Sequence, residues 1–320
     1  MESKITRRSL LTVAGAGAAS TLFARASQVT TPVNFAIPPG ACDCHTHIFG
    51  DPAQFPLFAG RTYTPETALP EEMKKLHAAL HMQRVVIVTP SVYGTDNSCT
   101  LYGLKARGAN ARGVAVIDDK TPPGELSHLH NAGVRGMRLN LATAGQTDLV
   151  AARRRLETAI GQAGSLHWHV QMFTSMAAIS TLRDLIMESD VPVVFDHFGG
   201  ASAALGIAQP GFSDLLALLR AEKAWVKISG AYRASTHSPD YADVAPLAKA
   251  MITANADRVL WGSDWPHPDT SAHPDHQPTD VTPLLQIDDG RLLNQLPVWA
   301  PDATVRKKIL VDNPARLYGF

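Results

Sequence analysis

The chain has 320 residues, with 29 Lys and Arg balanced by 29 Asp and Glu, and only 18% of its residues are charged. No basic stripe or acidic tail breaks that balance, which argues against a nucleic-acid partner, and the length suits one large α/β barrel or two smaller domains. Three cysteines without a CxxC pair exclude a disulfide framework and a thiolate zinc cluster.

Residues 1–26 read as an export signal. Arg7 and Arg8 form a twin-arginine start, and the small-residue site Ala24-Arg25-Ala26 places cleavage before Ser27. The run from Thr12 to Ala19 is too short and too rich in Ala and Gly for a stable membrane span. The expected destination is the periplasm, reached through the twin-arginine export machinery. Cys42 and Cys44 flank Asp43 on a strand and are too close for an unstrained bridge, so buried thiols are expected there and at Cys99. Residues 27–40 read as an extended, Pro-rich lead-in.

From residue 41 onward short β-branched segments recur: Ala41–His47, Arg84–Thr89, Arg112–Ile117, Val134–Asn140, Leu166–Met172, Val191–His197, Trp225–Ser229 and Arg258–Asp264. Stretches with helical spacing lie between most of them, such as Glu71–His81, Leu149–Gln162, Met176–Glu188, Phe212–Ala221 and Tyr241–Ala254. Near-continuous apolar strands alternating with helices indicate a parallel sheet covered by helices, and this number of units indicates a single-domain (β/α)8 TIM barrel over residues 41–320. A doubly wound open sheet is the alternative; it is weakened because no Gly-rich phosphate turn follows any strand.

Polar residues gather at the C-terminal ends of these segments. His45 and His47 end the first, Thr89 and Ser91 the second, Arg138 and Asn140 the fourth, and Asp196 and His197 the sixth. Ser229 leads on to Tyr232 and Arg233, and Ser263 and Asp264 close the eighth. A barrel brings all these ends to one mouth. His45 and His47, two apart on a strand, share a face, and such a pair can grip a metal ion or polarise an oxyanion. His167 and His169 are expected on one face of the fifth segment with Gln171, short of its end, and the fourth segment offers no lysine. Residues 266–300 read as a long Pro-rich loop, a lid or subunit contact, with His267, His273 and His276 solvated. Asp302 through Phe320 reads as a last helix followed by Asn313-Pro314-Ala315-Arg316-Leu317-Tyr318.

Together, Asp43-Cys44-His45-Thr46-His47, Gly94-Thr95-Asp96-Asn97, Gly133 to Asn140, Asp196-His197-Phe198-Gly199 and Trp261-Gly262-Ser263-Asp264-Trp265-Pro266-His267 resemble the amidohydrolase superfamily. Within it they look like the branch that contains the 2-pyrone-4,6-dicarboxylate lactonases, over about Pro38 to Tyr318. The resemblance implies hydrolysis of a small anionic lactone. Asp264 would act as general base toward water, His45, His47 and His197 would polarise the carbonyl, and Arg135, Arg138, Arg233 and Tyr63 would surround the substrate's carboxylates. Thr95 and Asn140 join them as substrate-binding candidates. Bottom-up chemistry agrees, since Arg is the natural bidentate partner of a carboxylate.

Two positions depart from the branch: Gly200 stands where the lactonases have an arginine, and Phe173 where they have a tyrosine. The resemblance implies no required cofactor. Many superfamily members nonetheless bind a divalent ion, and His45, His47, His197 and Asp264 could form a mononuclear zinc or manganese site. Sugar-acid lactone isomerases of the galactarolactone type, sulfonated muconolactone hydrolases and zinc-dependent decarboxylases lie in the same neighbourhood. A periplasmic solute-binding barrel is the non-enzymatic alternative. Oligomeric state is not legible.

Overall fold

The computed structural model describes residues 26–141, 148–271, 275 and 277–320. Arg7, Arg8, His273 and His276 lie outside the described residues. β1 (Cys42–Thr46) is followed by the two-residue β2 (Thr64–Pro65), then β3 (Arg84–Val88), β4 (Ala111–Ala115), β5 (Val134–Asn140), β6 (His169–Phe173), β7 (Val193–Phe195), β8 (Ala224–Ser229) and β9 (Val259–Gly262). β1 and β3 to β9 form one eight-stranded parallel sheet in chain order. β2 pairs separately with β10 (Val281–Thr282). The large sheet curls until its ends meet: Asp264 N donates to His45 O at 2.9 Å and His47 N to Trp265 O at 2.8 Å. This is the (β/α)8 barrel expected from the sequence.

Helices α1 (Pro70–Ala79), α2 (Ser98–Arg107), α3 (Pro123–Asn131), α4 (Leu149–Ser165), α5 (Met176–Glu188), α6 (Phe212–Arg220), the short α7 (Ala231–Ala234) and α8 (Ala245–Asn255) fill the connections. Local chemistry sets their starts: Asp148 accepts from Val150 N and Ala151 N at α4, and Ser175 accepts from Ala178 N at α5. α6 shows why they pack on the sheet. Phe212, Leu215, Leu218 and Leu219 fall on one helical face and are all buried, each side chain gaining about 1.5–3 kcal/mol from leaving water.

The barrel interior has an apolar floor of Cys42, Cys44, Val86, Val88, Val114, Val194, Trp225 and Leu260, plugged from below by Tyr318. All three cysteines are free and buried. Strict alternation along β1 would send His45 and His47 to the opposite face from Cys42 and Cys44. A bulge resolves this: Asp43 pairs with Val85 but Thr46 with Ile87, so one extra residue enters β1. Cys42 and Cys44 therefore line the floor, Asp43 points outward to His77 of α1, and His45 and His47 return to the interior above the cysteines.

Three expectations need correction. The fifth segment starts late: Leu166 caps α4 and His167 is an exposed turn residue at φ 53°, so only His169 lies on β6. His267 is not solvated. It is fully buried with Nε2 2.9 Å from Asp289 Oδ2, because the segment after β9 folds into β10, α9 (Asp289–Leu293) and α10 (Leu296–Trp299). The lead-in straps this segment, Thr30 Oγ1 donating to Asp288 Oδ2 at 2.6 Å and Asn294 Nδ2 to Pro32 O at 2.9 Å. The final helix breaks into α11 (Ala303–Lys307), a wide turn at Lys308–Asp312 and α12 (Asn313–Tyr318), where Pro314 sits in the first turn and cannot donate backward. No helix among the described residues is long and apolar enough to cross a membrane.

Candidate active site

His45 and His47 leave the mouth end of β1, His197 opens the turn after β7, and Asp264 follows β9. Their rings converge on one carboxylate oxygen. Asp264 Oδ1 lies 3.5 Å from His47 Nε2, 3.6 Å from His45 Nε2 and 3.8 Å from His197 Nε2. His197 and Asp264 both sit at positive φ, 49° and 69°, a conformation that costs a side-chain-bearing residue about 1–2 kcal/mol. Gly262 makes room for the cluster, since a Cβ there would come within 2.8 Å of His45 Cβ.

The two oxygens of Asp264 are not equivalent. Oδ2 accepts from Tyr232 OH at 2.6 Å and from Arg233 Nε at 2.5 Å. Oδ1 has no hydrogen-bond partner, and neither has His45 Nε2. Ring contacts explain this. His47 Nδ1 lies 2.7 Å from Val88 O, which only accepts, so Nδ1 carries the proton and Nε2 is a lone pair. His45 Nδ1 lies between Asp196 Oδ1 at 3.2 Å and the donor-only Lys227 ammonium at 3.4 Å. His197 Nδ1 meets the Ser229 hydroxyl at 3.0 Å, which can donate as well as accept. A neutral His197 can thus point an N–H at a carbonyl oxygen, while a neutral His47 presents an acceptor.

Burial drives all three imidazoles toward the neutral form: His45 well below its ordinary value, His47 below it, and His197 down to about 4. Burial alone would raise Asp264, but the Arg233 guanidinium, then His197, His47 and His45, hold it well below the ordinary carboxylate range. The carboxylate is ionised and half of it is unclaimed.

Above the cluster is a narrow recess of about 10 Å³, room for about one water, whose walls include Tyr63, Ser91, Arg138, Asn140, Phe173 and Arg233. Arg138 is buried; one terminal nitrogen donates to Thr89 O at 3.1 Å, and its Nε has no partner. No carboxylate pairs with it among the described residues. Arg233, by contrast, is already committed to Asp264, its remaining nitrogens reaching Thr270 Oγ1 and Pro268 O at 3.3 Å. Tyr63 is a buried phenol on the same wall, its pKa raised by that burial.

Arg135 does not belong to the site. Three residues from Arg138 on one strand, it takes the opposite face near the floor and donates to His130 O and Val134 O. Thr95 lines an adjoining groove, not the recess. Phe173 stands edge-on to His197 at 5.2 Å, an apolar wall. Gly200 has φ 77°, and a Cβ there would lie 2.3 Å from Thr174 O, so no arginine fits that backbone.

Sequence reasoning missed Lys227. This fully buried ammonium lies 2.6 Å from Gln171 Oε1, 3.4 Å from His45 Nδ1 and 3.5 Å from Asp196 Oδ1, while Gln171 Nε2 donates to Asp196 Oδ2 at 3.1 Å. The ring of contacts fixes Asp196 beneath His45. Its signal was a lysine inside an apolar strand, two residues before Ser229 and so on the same inward face.

The donor set also fits a metal. His45 Nε2, His47 Nε2 and Asp264 Oδ1 can all lie within 4.8 Å of one another. The 3.5–3.8 Å separations from Oδ1 approach those between ligands of a tetrahedral ion with bonds of about 2.0–2.1 Å. His47, whose Nδ1 is held by the Val88 carbonyl, presents Nε2 in the ligand form.

A parallel barrel with imidazoles gathered around an ionised carboxylate at its mouth defines a hydrolase-type centre. The amidohydrolase family profile matches residues 42–320, and the chain belongs to that family and is an enzyme. It is 38% identical to a 4-sulfomuconolactone hydrolase of Rhizobium radiobacter, over 91% of this chain and 93% of the relative. It is 35% identical to a 2-pyrone-4,6-dicarboxylate hydrolase of Comamonas testosteroni, over 89% and 92%. A crystal structure of an Agrobacterium tumefaciens protein superposes with a TM-score of 0.75 at 27% identity, covering 91% of this chain and 99% of that one.

Proposed function

We propose that the enzyme hydrolyses a small lactone bearing a carboxylate or sulfonate, a sulfonated muconolactone being the first candidate. The observation that carries this reading is an Asp264 oxygen without a hydrogen bond, lying 3.5–3.8 Å from His47 and His197, which wall the same recess as a buried Arg138 that has no carboxylate partner among the described residues. Arg138, Tyr63 and Ser91 bind the substrate's anion and aim the ring carbonyl at His197, whose Nε2–H donates to the carbonyl oxygen. Water enters beside Asp264 and gives its proton to Oδ1 as its oxygen bonds to the carbonyl carbon. The ring C–O bond then breaks, and the proton returns from Asp264 to the departing ring oxygen, leaving a hydroxy acid. Tyr232 and Arg233 weaken Asp264 as a base but pin Oδ2, so that Oδ1 alone faces the water.

His45, His47, His197 and Asp264 are the residues that would hold a mononuclear zinc or manganese ion. When bound, such an ion polarises the carbonyl and lowers the pKa of water. Export by the twin-arginine route is part of the proposal and rests on Arg7, Arg8 and the Ala-rich run that follows.

The test is a hydrolysis screen of lactones bearing carboxylate, sulfonate or no charged group, run on purified enzyme with and without chelator. Charged lactones should turn over and neutral ones of the same shape should not. Absence of turnover on every charged lactone, in chelated and in zinc- or manganese-supplied enzyme alike, would remove the proposal.

A further inference from the structure

The lead-in takes no part in the mechanism above, yet it is docked like a core element. Ala26 and Ser27 are buried, and Val29, Val33 and Phe35 pack against the core. Hydrogen bonds pin the strap to the segment around α9. Thr30 donates to the Asp288 carboxylate from its N–H at 3.2 Å and from its hydroxyl at 2.6 Å. Asn34 N donates to Asn294 Oδ1 at 2.8 Å, and Asn294 Nδ2 donates to Pro32 O at 2.9 Å. Thr31 O lies so close to Gly290 that a Cβ there would come within 1.9 Å of it.

The inner end of the strap reaches the catalytic seam. Ser27 O accepts from Trp265 Nε1 at 3.1 Å. Trp265 is fully buried and follows Asp264 directly. Its backbone is tied to both strand ends of the site: Trp265 O accepts from His47 N at 2.8 Å, and Trp265 N donates to Ser263 Oγ at 3.0 Å. One residue thus links the strap to the ends of β1 and β9 that carry His47 and Asp264. Asp264 itself is at φ 69°, a conformation that persists only where the surrounding structure over-determines it. A buried indole N–H robbed of its acceptor would favour repacking at that point.

We infer that the strap is a positioning element of the active site: the Ser27 carbonyl fixes the Trp265 indole, and through it the peptide that sets Asp264 against His45 and His47. The inference rests on Asp264 as the base of the proposed hydrolysis. It gives residues 26–34 an effect on the chemical step and not on substrate binding, because none of them lines the recess or the adjoining groove.

The test loosens the strap from a distance. Thr30→Val/Asn294→Ala removes two anchors in the whole purified enzyme, and neither residue lines the recess. Hydrogen exchange followed by NMR should show the Trp265 indole N–H and the His47 and Asp264 amides exchanging about tenfold faster than in wild type, with β4 to β6 unchanged. On a sulfonated muconolactone, kcat per folded molecule should fall about tenfold while KM changes less than about twofold, the pattern of a misplaced catalytic group. Thr30→Ser, which keeps the hydroxyl, should behave as wild type. Trp265→Phe, which keeps a ring but drops the N–H, should reproduce the kcat loss with the anchors intact. Unchanged exchange at Trp265 in the anchor variant, or faster exchange with kcat unaltered, would overturn the inference and make the strap scaffold alone. Faster exchange in an enzyme that hydrolyses no lactone would count against the lactone reading while supporting the link from strap to seam.

Discussion

Two fully buried aspartates stand on opposite sides of the seam where β1 meets β9, and they are treated in opposite ways. Asp43, outside the barrel wall, is saturated: Oδ1 accepts from Ser263 N at 2.9 Å and His45 N at 3.2 Å, while Oδ2 accepts from Ser263 Oγ at 2.6 Å and faces His77 Nε2 at 3.2 Å. Asp264, inside, has one saturated oxygen and one without a hydrogen bond, although three imidazole nitrogens lie within 3.8 Å of it. Both sit beside histidines. The difference separates scaffold from chemistry: a carboxylate whose lone pairs are all claimed ties strands together, and one left partly unclaimed in a dry site is held for a proton, a cation or a water.

The comparison breaks most visibly at Asp264. Asp264→Asn keeps shape but cannot take a proton, so kcat should fall by about 10²–10⁴ while the circular dichroism of the fold is retained; near-normal kcat would mean the base lies elsewhere. Asp43→Ala should do the reverse. Stranding its buried donors should lower unfolding free energy by about 3–5 kcal/mol, read from urea unfolding, with kcat per folded molecule changed less than about twofold. Arg138→Gln comes next, expected to reduce kcat/KM for an anionic lactone by about 2–3 kcal/mol and for a neutral one far less; equal losses would make Arg138 scaffold like Asp43.

A further effect is with pH. His169 and His197 are pushed by burial to about 3 and about 4, whereas in the unfolded chain they titrate near 6.5. Below that value the unfolded state binds protons that the folded state refuses. Stability is therefore full at neutral pH and falls as pH drops from about 6.5 toward 4, by about 1.4 kcal/mol per pH unit for each such histidine. Ionised Asp264, held below its ordinary range, adds a loss only at still lower pH. Urea midpoints at several pH values across that window check the slope, and a flat profile would mean these rings are solvated.

Much of the barrel was legible because its strands are short apolar runs and its polar residues sit at strand ends, where period-two spacing aligns them. His45, His47, His197 and Asp264 were found that way. What escaped depended on a single residue's phase or on distant partners. The bulge in β1 lets two cysteines and two histidines share the interior, which alternation forbids. Arg135, at the start of its strand, entered the site only by resemblance, and its odd spacing from Arg138 sends the two to opposite faces. Lys227 passed unnoticed because lysine in a strand reads as an exposed edge, and its partners Gln171 and Asp196 come from other strands. His267 looked solvated because nothing local announced Asp289, twenty-two residues on.

The most direct test of the central claim, attack of Asp264-activated water on a lactone carbonyl, is a single turnover in heavy-oxygen water followed by mass spectrometry of the product. The account predicts a ring-opened hydroxy acid with one labelled oxygen, in the new carboxylate. Label in the new hydroxyl, or an unlabelled product of the substrate's own mass, would show alkyl–oxygen cleavage or isomerisation and contradict it.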